Sequence, residues 1–255
     1  MLLNCDMGES FGAWRMGDDA AVMPHIDMAS IACGFHAGEP AIMQATVRLA
    51  RDHQVAIGAH PSYPDLAGFG RRSMQFSADT LAAIVSYQLG ALAAICQANA
   101  TELAYVKPHG ALYNDMQTQA GLFQTVLEVV ARANERREQP LALVTLAQTG
   151  ATAEQQSQQA ARLGVPLLRE AFADRRYEPT GQLRSRQHSD AVLHDSQQIL
   201  AQVQQFARGE AIVASDGSAL LLQADTLCVH GDNPESVATV AAIRHLLGAR
   251  VQHTL

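Results

Sequence analysis

Hydrophobic residues form seven short and almost uninterrupted runs along the chain. Strands of a parallel sheet are covered on both faces, so they read as continuous apolar runs rather than as alternating ones. The pattern therefore predicts seven parallel strands, which begin near residues 3 (LLN), 28 (MASIAC), 55 (VAIGA), 103 (LAYV), 141 (LALVTL), 165 (VPLLREA) and 226 (TLCV).

Longer segments with helical periodicity separate these runs. Local signals mark some of the helix ends: Pro40 suits a first turn, Gly164 suits a C-terminus, and Asn233 suits an N-cap before Pro234. Residues 211–225 carry Asp-Gly between two apolar runs, which predicts a hairpin. The predicted helices cover residues 39–53, 77–98, 118–134, 152–163, 190–207 and 234–248.

Regular alternation of strand and helix patterns is typical of an α/β protein. The leading architecture is a (β/α) TIM-like barrel, irregular because it has about seven strands, and a doubly wound open sheet is the alternative. The 255 residues are 48% apolar, and no Gly/Ser/Pro-rich linker divides them. We therefore expect residues 1–255 to form a single catalytic barrel domain.

Charge and targeting signals narrow the classes of function. The net charge of −7 argues against a nucleic-acid or anionic-membrane surface. The apolar run at 80–101 is long enough to span a bilayer, but Ser86 and Gln88 interrupt it, which favours a buried helix of a soluble protein. The N-terminus lacks the basic region of a signal peptide, and the four cysteines form no C-x-x-C pair. We expect a cytoplasmic protein with reduced, buried thiols.

Polar residues gather where the predicted strands end. In a parallel β/α fold these positions share one end of the barrel, where active sites of such proteins lie. Four of the ten histidines fall there, and glycines beside them allow a ligand to approach the backbone. The candidates are Asn4, Asp6, Glu9, His36, His60, Arg71, Arg72, Lys107, His109, Tyr113, Glu170, Asp174, Arg175 and His230, together with Asp65 and Asp232. Asp65, Asp174 and Asp232 are the weaker ones because Asp is common in turns.

Lys107 is the single lysine in a chain with seventeen arginines. An ammonium group is a compact charge with rotatable donors and a pKa that its surroundings can shift, which a guanidinium does not offer. The composition therefore indicates a functional role for Lys107.

Cofactor signals are weak. Asp6, His36 and His60 are ligand types that suit a catalytic divalent metal, but no spacing such as H-E-x-x-H supports the assignment. The chain also lacks G-x-x-x-x-G-K-[ST], so no phosphate loop is recognisable. Metal binding and the location of any nucleotide stay open from the residues alone.

Six segments together resemble the LamB/YcsF family, the A subunits of bacterial ATP-dependent 5-oxoprolinases. The resemblance runs from residue 2 to about residue 232 in the family's order. The segments are LNCDMGESFG, IACGFHAGEP, GAHPSYPDLAGFGRR, YVKPHGALYN, EAFADRRYEPTGQL and CVHGD.

The resemblance implies a barrel similar to the glycoside hydrolase/deacetylase type. It implies that the lactam of 5-oxo-L-proline is cleaved to L-glutamate, coupled to hydrolysis of ATP to ADP and phosphate, with partner subunits B and C; ATP is expected on those partners or together with them. We assign catalytic roles to Asp6, Glu9, His36, His60, Lys107 and His109, and binding of substrate or phosphate to Asn4, Arg71, Arg72, Tyr113, Glu170, Asp174, Arg175 and His230.

Two other functions remain open at this stage. One is a stand-alone metal-dependent deacetylase or amidohydrolase that uses Asp6 and two histidines. The other is a non-catalytic subunit that presents substrate to its partners.

Overall fold

The barrel is closed by hydrogen bonds between its first and last strands. The computed structural model describes residues 1–230 and 234–250. Its strands are β1 (Leu2–Met7), β2 (Met28–Ala32), β3 (Ala56–His60), β4 (Leu103–Val106), β5 (Ala142–Leu146), β6 (Leu167–Phe172), β7 (Ile212–Val213), β8 (Ala219–Leu220) and β9 (Thr226–Val229). Strands β1 to β6 and β9 are parallel, and β9 pairs with both β1 and β6. This closure confirms the seven-stranded TIM-like barrel and excludes the open sheet.

The described helices form the outer layer of the α/β fold. A single 3₁₀ turn, Met23–His25, precedes β2. Strands β7 and β8 form the antiparallel hairpin that the Asp-Gly pair predicts. The helices are α1 (Asp19–Val22), α2 (Pro40–Asp52), α3 (Ala78–Ala98), α4 (Gly110–Thr118), α5 (Ala120–Asn134), α6 (Ala151–Leu163), α7 (Ser196–Arg208) and α8 (Pro234–Leu247).

Local capping sets the helix ends. Gly164 ends α6 in a left-handed conformation, as the sequence predicts. Helix α7 begins at Ser196 and not at residue 190, because the Asp195 side chain accepts a hydrogen bond from the Gln198 amide. The preceding residues belong to the β6–α7 loop, where the Leu193 amide donates to the Asp174 carbonyl. The predicted cap at Asn233 lies outside the described residues.

Helix α4 is absent from the sequence prediction, which made this segment part of a loop. The helix begins at Gly110, a residue that usually disfavours helices, and its φ is +57°. A side chain here would place its Cβ 2.5 Å from the carbonyl oxygen of Gly70. The glycine is therefore required by the close approach of the β3–α3 loop, and α4 starts directly after His109.

Helix α3 contains the long apolar run. It is the one helix in the described part of the chain that is long and apolar enough to cross a membrane. It packs against α5 and against strands β3 and β4. Its buried Gln88 accepts a hydrogen bond from the Ser62 amide and donates one to the Ser62 carbonyl. These contacts place α3 in the helical layer of the barrel.

The barrel interior changes from apolar to polar along its axis. At the N-terminal end of the strands, a separate apolar cluster fills the interior with Leu2, Met28, Tyr105, Ala142 and Val144. Gly58 makes room for Tyr105, since a Cβ at Gly58 would lie 2.1 Å from the tyrosine ring. The larger core packs between the strands and the helices. This apolar floor supports the polar residues at the other end.

Candidate functional site

Several predicted site residues lie inside the strands and not after them. The sequence predicted that Asn4 and Asp6 follow the end of the first strand, but β1 extends to Met7 and includes both. His60 is the last residue of β3, and Glu170 lies within β6. Side chains two residues apart on a strand share a face, so Asn4 and Asp6 both point into the barrel.

Lys107 lies at the centre of the polar interior. Its Nζ donates to Oδ1 of Asn4 at 2.9 Å, to Oδ1 of Asp6 at 2.9 Å and to Sγ of Cys228 at 3.2 Å. Oε1 of Glu170 lies 2.7 Å from the same nitrogen. We refer to these five residues as the lysine cluster. Only 2% of Lys107 is exposed, so its charge depends on these neighbours.

Electrostatics keep Lys107 and Asp6 ionised. Burial alone would lower the pKa of Lys107, but its acidic neighbours, Asp6 above all, raise that pKa well above its usual value. Burial alone would likewise raise the pKa of Asp6, but its contacts with His60 and Lys107 hold that pKa well below its usual value. A buried ammonium therefore lies between the ionised Asp6 and the carboxyl group of Glu170.

Glu9 and three imidazoles form a second group, the histidine cluster of Glu9, His36, His60 and His109. Nε2 of His60 lies 2.9 Å from Nδ1 of His109 and 3.3 Å from Oδ2 of Asp6. Nε2 of His36 lies 3.0 Å from Oε1 of Glu9. The His36 and His109 rings are stacked, with 3.7 Å between their centroids. Asp6 therefore joins the two clusters.

Burial shifts the proton affinities in the histidine cluster. It raises the pKa of Glu9 above its usual value, and contact with His109 partly opposes this shift. It also lowers the pKa values of His36 and His109 well below the usual value for histidine. Since the environments of Asp6 and Glu9 push their pKa values in opposite directions, the site contains one carboxylate that stays ionised and one that can exchange protons more readily.

His230 and Asp174 pair at the edge of these clusters. Nδ1 of His230 lies 2.7 Å from Oδ2 of Asp174, and this contact outweighs burial to lower the pKa of Asp174. Both residues line a cavity of about 290 Å³ that also contacts Arg186 and His194. This cavity provides space for a ligand beside the lysine cluster. Asp232 lies outside the described residues.

The remaining predicted residues have other contacts. Arg72 forms an ion pair with Asp65, and the Arg71 guanidinium lies 5.0 Å from the centre of the Phe69 ring. Arg175 is buried and donates to the carbonyls of Ala191 and Arg184. Burial and the charge of Glu170 raise the pKa of the Tyr113 hydroxyl well above its usual value, which places Tyr113 beside the lysine cluster. Arg175 thus stabilises the β6–α7 loop in this conformation.

The sequence did not predict two residues of the site, Cys228 and Phe172. Cys228 was interpreted as a packing thiol, but it contacts Lys107, and burial raises the pKa of its thiol well above the usual value. Phe172 places its ring centre 5.6 Å from Nζ of Lys107. The signal available in the sequence was the period of two along each strand, which puts Cys228 on the face of His230 and Phe172 on the face of Glu170. All four cysteines are buried and free, as expected.

Donor atoms with metal-ligand chemistry lie close together in two places. One oxygen or nitrogen atom from each residue of the histidine cluster lies within 4.8 Å of those of the other three. Asp6, Cys228 and His230 form a smaller group of the same kind. The sequence paired Asp6 with His36 and His60, whereas the structure groups those two histidines with Glu9 and His109 and places Asp6 in the second group.

Comparisons with known proteins agree with this architecture. The chain is 55% identical to a 5-oxoprolinase A subunit, the second of that name, of Pseudomonas putida KT2440, over 97% of this chain and 93% of that protein. It is 51% identical to the 5-oxoprolinase A subunit of Vibrio cholerae serotype O1, over 96% of each. The crystal structure of the lactam utilization protein from Thermus thermophilus superimposes with a TM-score of 0.87, at 36% identity and 98% coverage of both chains.

The family profile covers almost all of the sequence. The profile described as the LamB/YcsF family matches residues 1–254, which include every residue of the lysine and histidine clusters. This match and the identities above 50% confirm the resemblance carried by the six sequence segments. The chain belongs to the LamB/YcsF family.

Proposed function

We propose that this chain is the A subunit of an ATP-dependent 5-oxoprolinase and carries the site that opens the lactam of 5-oxo-L-proline to give L-glutamate. Two relatives more than 50% identical over nearly the whole chain are named as A subunits of 5-oxoprolinase. The observation that carries the catalytic part of the proposal is the buried lysine cluster beside the histidine cluster. We further propose that residues 1–255 act as one catalytic barrel domain in the cytoplasm.

The reaction requires activation of a stable amide. Phosphorylation of the amide oxygen by ATP makes the ring carbon a better electrophile. Water then attacks that carbon, the C–N bond breaks, the ring nitrogen takes up a proton, and phosphate leaves. Such a site needs a base for the water, an acid for the nitrogen and positive charge near the oxygen that becomes negative.

The two clusters supply these groups. Lys107 is the fixed positive charge that faces the carbonyl or phosphoryl oxygen. Asp6 is 13% exposed and is held ionised, so it is available to accept a proton from the attacking water. Asp6 can then pass that proton to the ring nitrogen, and the histidine cluster contacts Asp6 through His60. The cavity beside His230 and Asp174 accommodates further polar parts of the ligand.

The relatives' designation as A subunits supports a multi-subunit enzyme. We propose that subunits B and C are the partners and that ATP binds on them or together with them. The test is 5-oxoproline-dependent release of glutamate and ADP by this chain alone and by the three subunits together. Activity that requires all three supports the proposal, and no glutamate from any mixture contradicts it. Full activity of complexes with Lys107→Ala or His60→Ala would favour a subunit that only presents the substrate.

A further inference from the structure

Backbone carbonyls fix the protons on two imidazoles of the histidine cluster. Nδ1 of His60 lies 2.6 Å from the carbonyl oxygen of Lys107, and Nε2 of His109 lies 3.0 Å from the carbonyl oxygen of Phe69. A carbonyl oxygen only accepts hydrogen bonds, so both of these nitrogens carry a hydrogen. The other nitrogen of each neutral ring therefore has a lone pair.

The two lone pairs face each other in the protein interior. Nε2 of His60 and Nδ1 of His109 are 2.9 Å apart, and the two residues are 1% and 6% exposed. Two buried acceptors at this distance repel each other unless a proton or a cation lies between them. The structure therefore implies a positive species at this point.

The donor atoms around this point favour a divalent cation over a proton. One oxygen or nitrogen atom from each of Glu9, His36, His60 and His109 lies within 4.8 Å of those of the other three. A proton bridges two atoms, whereas a metal ion binds three or more, so a carboxylate beside two imidazole nitrogens suits a metal ion.

We propose that Nε2 of His60, Nδ1 of His109 and the carboxylate of Glu9 bind one divalent transition-metal ion. Two histidines and one carboxylate are a frequent ligand set for Zn²⁺ and for iron-type ions, with further positions open to water. Metal–nitrogen bonds of about 2.0–2.1 Å put two nitrogens about 2.9 Å apart at the right angles of an octahedral site and about 3.4 Å apart at a tetrahedral angle, so the observed 2.9 Å fits octahedral geometry. Oε1 of Glu9 lies 3.7 Å from Nδ1 of His109.

Neighbouring groups orient these three ligands. The carbonyls of Lys107 and Phe69 fix the His60 and His109 rings, as hydrogen bonds from metal-binding histidines usually do. His36 lies 3.0 Å from the Glu9 carboxylate, so its Nε2 hydrogen holds that ligand in place. His36 is thus a positioning residue and not a ligand, which changes the metal set that the sequence suggested.

The site has a use in catalysis that rests on the proposed function. A divalent ion held by these ligands would supply Lewis-acid activation of water, and Asp6, whose Oδ2 is 3.3 Å from Nε2 of His60, would accept the proton of that water. Binding of the ion itself does not depend on that reaction.

The first experiment is calorimetric titration of the chelator-treated full chain with Zn²⁺, without 5-oxoproline, ATP or partners. We expect one ion per chain. We expect affinity to fall more than about 100-fold in His60→Gln and in His109→Gln, a loss larger than that of a residue that only orients a ligand. His245→Gln, on the exposed surface of α8, is the matched control and is expected to bind like the parent chain. Failure of the parent chain to bind, or unchanged affinity in both site variants, overturns the proposal.

A second measurement uses the parent chain, so it gives a result even if the variants fail to fold. Nitrogen NMR of ¹⁵N-histidine-labelled parent chain reports the state of each ring nitrogen. We expect two neutral rings whose lone-pair nitrogens shift when one equivalent of Zn²⁺ is added. An imidazolium signal that Zn²⁺ leaves unchanged shows a shared proton and overturns the metal site. Because neither measurement involves turnover, a missing ion and a failure to cleave 5-oxoproline are separate results.

Discussion

Two regions of the barrel bury polar side chains, and the two regions satisfy these side chains in different ways. The lysine cluster contains ions, whereas the region at the end of β5 contains only neutral side chains. We call that second region, formed by Gln117, Thr145, Gln148 and Gln156, the amide network. Its members are between 2% and 8% exposed, so it is buried almost as deeply as Lys107.

Hydrogen bonds connect the amide network internally. Oγ1 of Thr145 donates to Oε1 of Gln117 at 2.8 Å, and Nε2 of Gln148 donates to Oε1 of Gln156 at 3.1 Å. Gln182, from the β6–α7 loop, donates to Oε1 of Gln148 at 2.8 Å. The network therefore connects α4, β5, α6 and this loop without any buried charge.

The presence of ions in one region and only neutral groups in the other indicates which of the two is catalytic. Neutral amides are enough to satisfy buried polar groups and to join elements. Burying ions costs more free energy, and replacing buried ion pairs by apolar groups is often neutral or stabilising. The amide network at the end of β5, the strand next to β4 and β6, shows that this barrel satisfies buried polar groups without ions. The ions of the lysine cluster are therefore best explained by a reaction that needs them.

The largest expected effect is that of Lys107→Met. The substitution keeps an unbranched side chain but leaves Asp6 and Glu170 buried without their cation. We expect the free energy of unfolding to fall by about 3–5 kcal/mol and glutamate release to be lost. Denaturant unfolding of the isolated chain measures the first effect, and the assay of the three-subunit mixture measures the second. A variant as stable as the parent would show that Lys107 is not needed to balance the carboxylates.

Gly58→Ala tests the apolar floor beneath the lysine cluster. The new methyl group would overlap the ring of Tyr105, so either the ring or strand β3 must move. Overpacking of this kind costs about 1–3 kcal/mol. Thermal unfolding should show the loss, and Gly90→Ala on α3, where a Cβ meets no atom within 4 Å, is the matched control. Equal unfolding temperatures for Gly58→Ala and the parent would mean that the floor is loosely packed.

Gln156→Leu tests the amide network. Thr145 and Gln148 lose one acceptor but keep Gln117, at 2.8 Å and 3.3 Å. We expect a loss of about 1 kcal/mol in unfolding free energy and no change in the rate of glutamate release at saturating substrate. Urea unfolding and the complete assay measure these two quantities. A rate loss as large as that of Lys107→Met would remove the distinction between the two regions.

Arg72→Ala should have the smallest effect. The Arg72 side chain is 68% exposed, and its buried partner Asp65 also accepts a hydrogen bond from the Gly68 amide, so water can replace the guanidinium at small cost to stability. We expect no measurable change in the unfolding temperature at physiological salt. If the substitution raises the KM for 5-oxoproline or ATP, Arg72 contributes to binding in the assembled enzyme, as the sequence interpretation suggested.

The barrel could be predicted from the sequence because the patterns that identify its strands are local. Continuous apolar runs predicted all seven barrel strands, and Asp-Gly predicted the β7–β8 hairpin. Helix α4 was missed because its start at Gly110 depends on the carbonyl of Gly70, forty residues earlier in the chain. Local propensity contains no information on such a contact.

The candidate site could be predicted only in part, because some of its contacts join segments that are far apart in the sequence. Composition singled out Lys107, and position at strand ends singled out the histidines. Neither signal showed that Cys228 contacts Lys107, because register across the closed barrel brings β9 next to β1. The amide network was also missed, since the glutamines are scattered between residues 117 and 182 and look like surface residues. The Cys228–Lys107 contact and the amide network both depend on contacts between segments that are far apart in the sequence.

The most direct test compares the two regions within one assay. Complexes assembled with the parent chain, Lys107→Met and Gln156→Leu are given 5-oxoproline and ATP, and glutamate is measured over time. The account predicts that Lys107→Met releases less than about 1% of the parent's glutamate, a loss of more than about 2.7 kcal/mol in transition-state stabilisation, while Gln156→Leu stays within about twofold. Glutamate release by Lys107→Met at the rate of Gln156→Leu would contradict the claim that the lysine cluster is the catalytic centre.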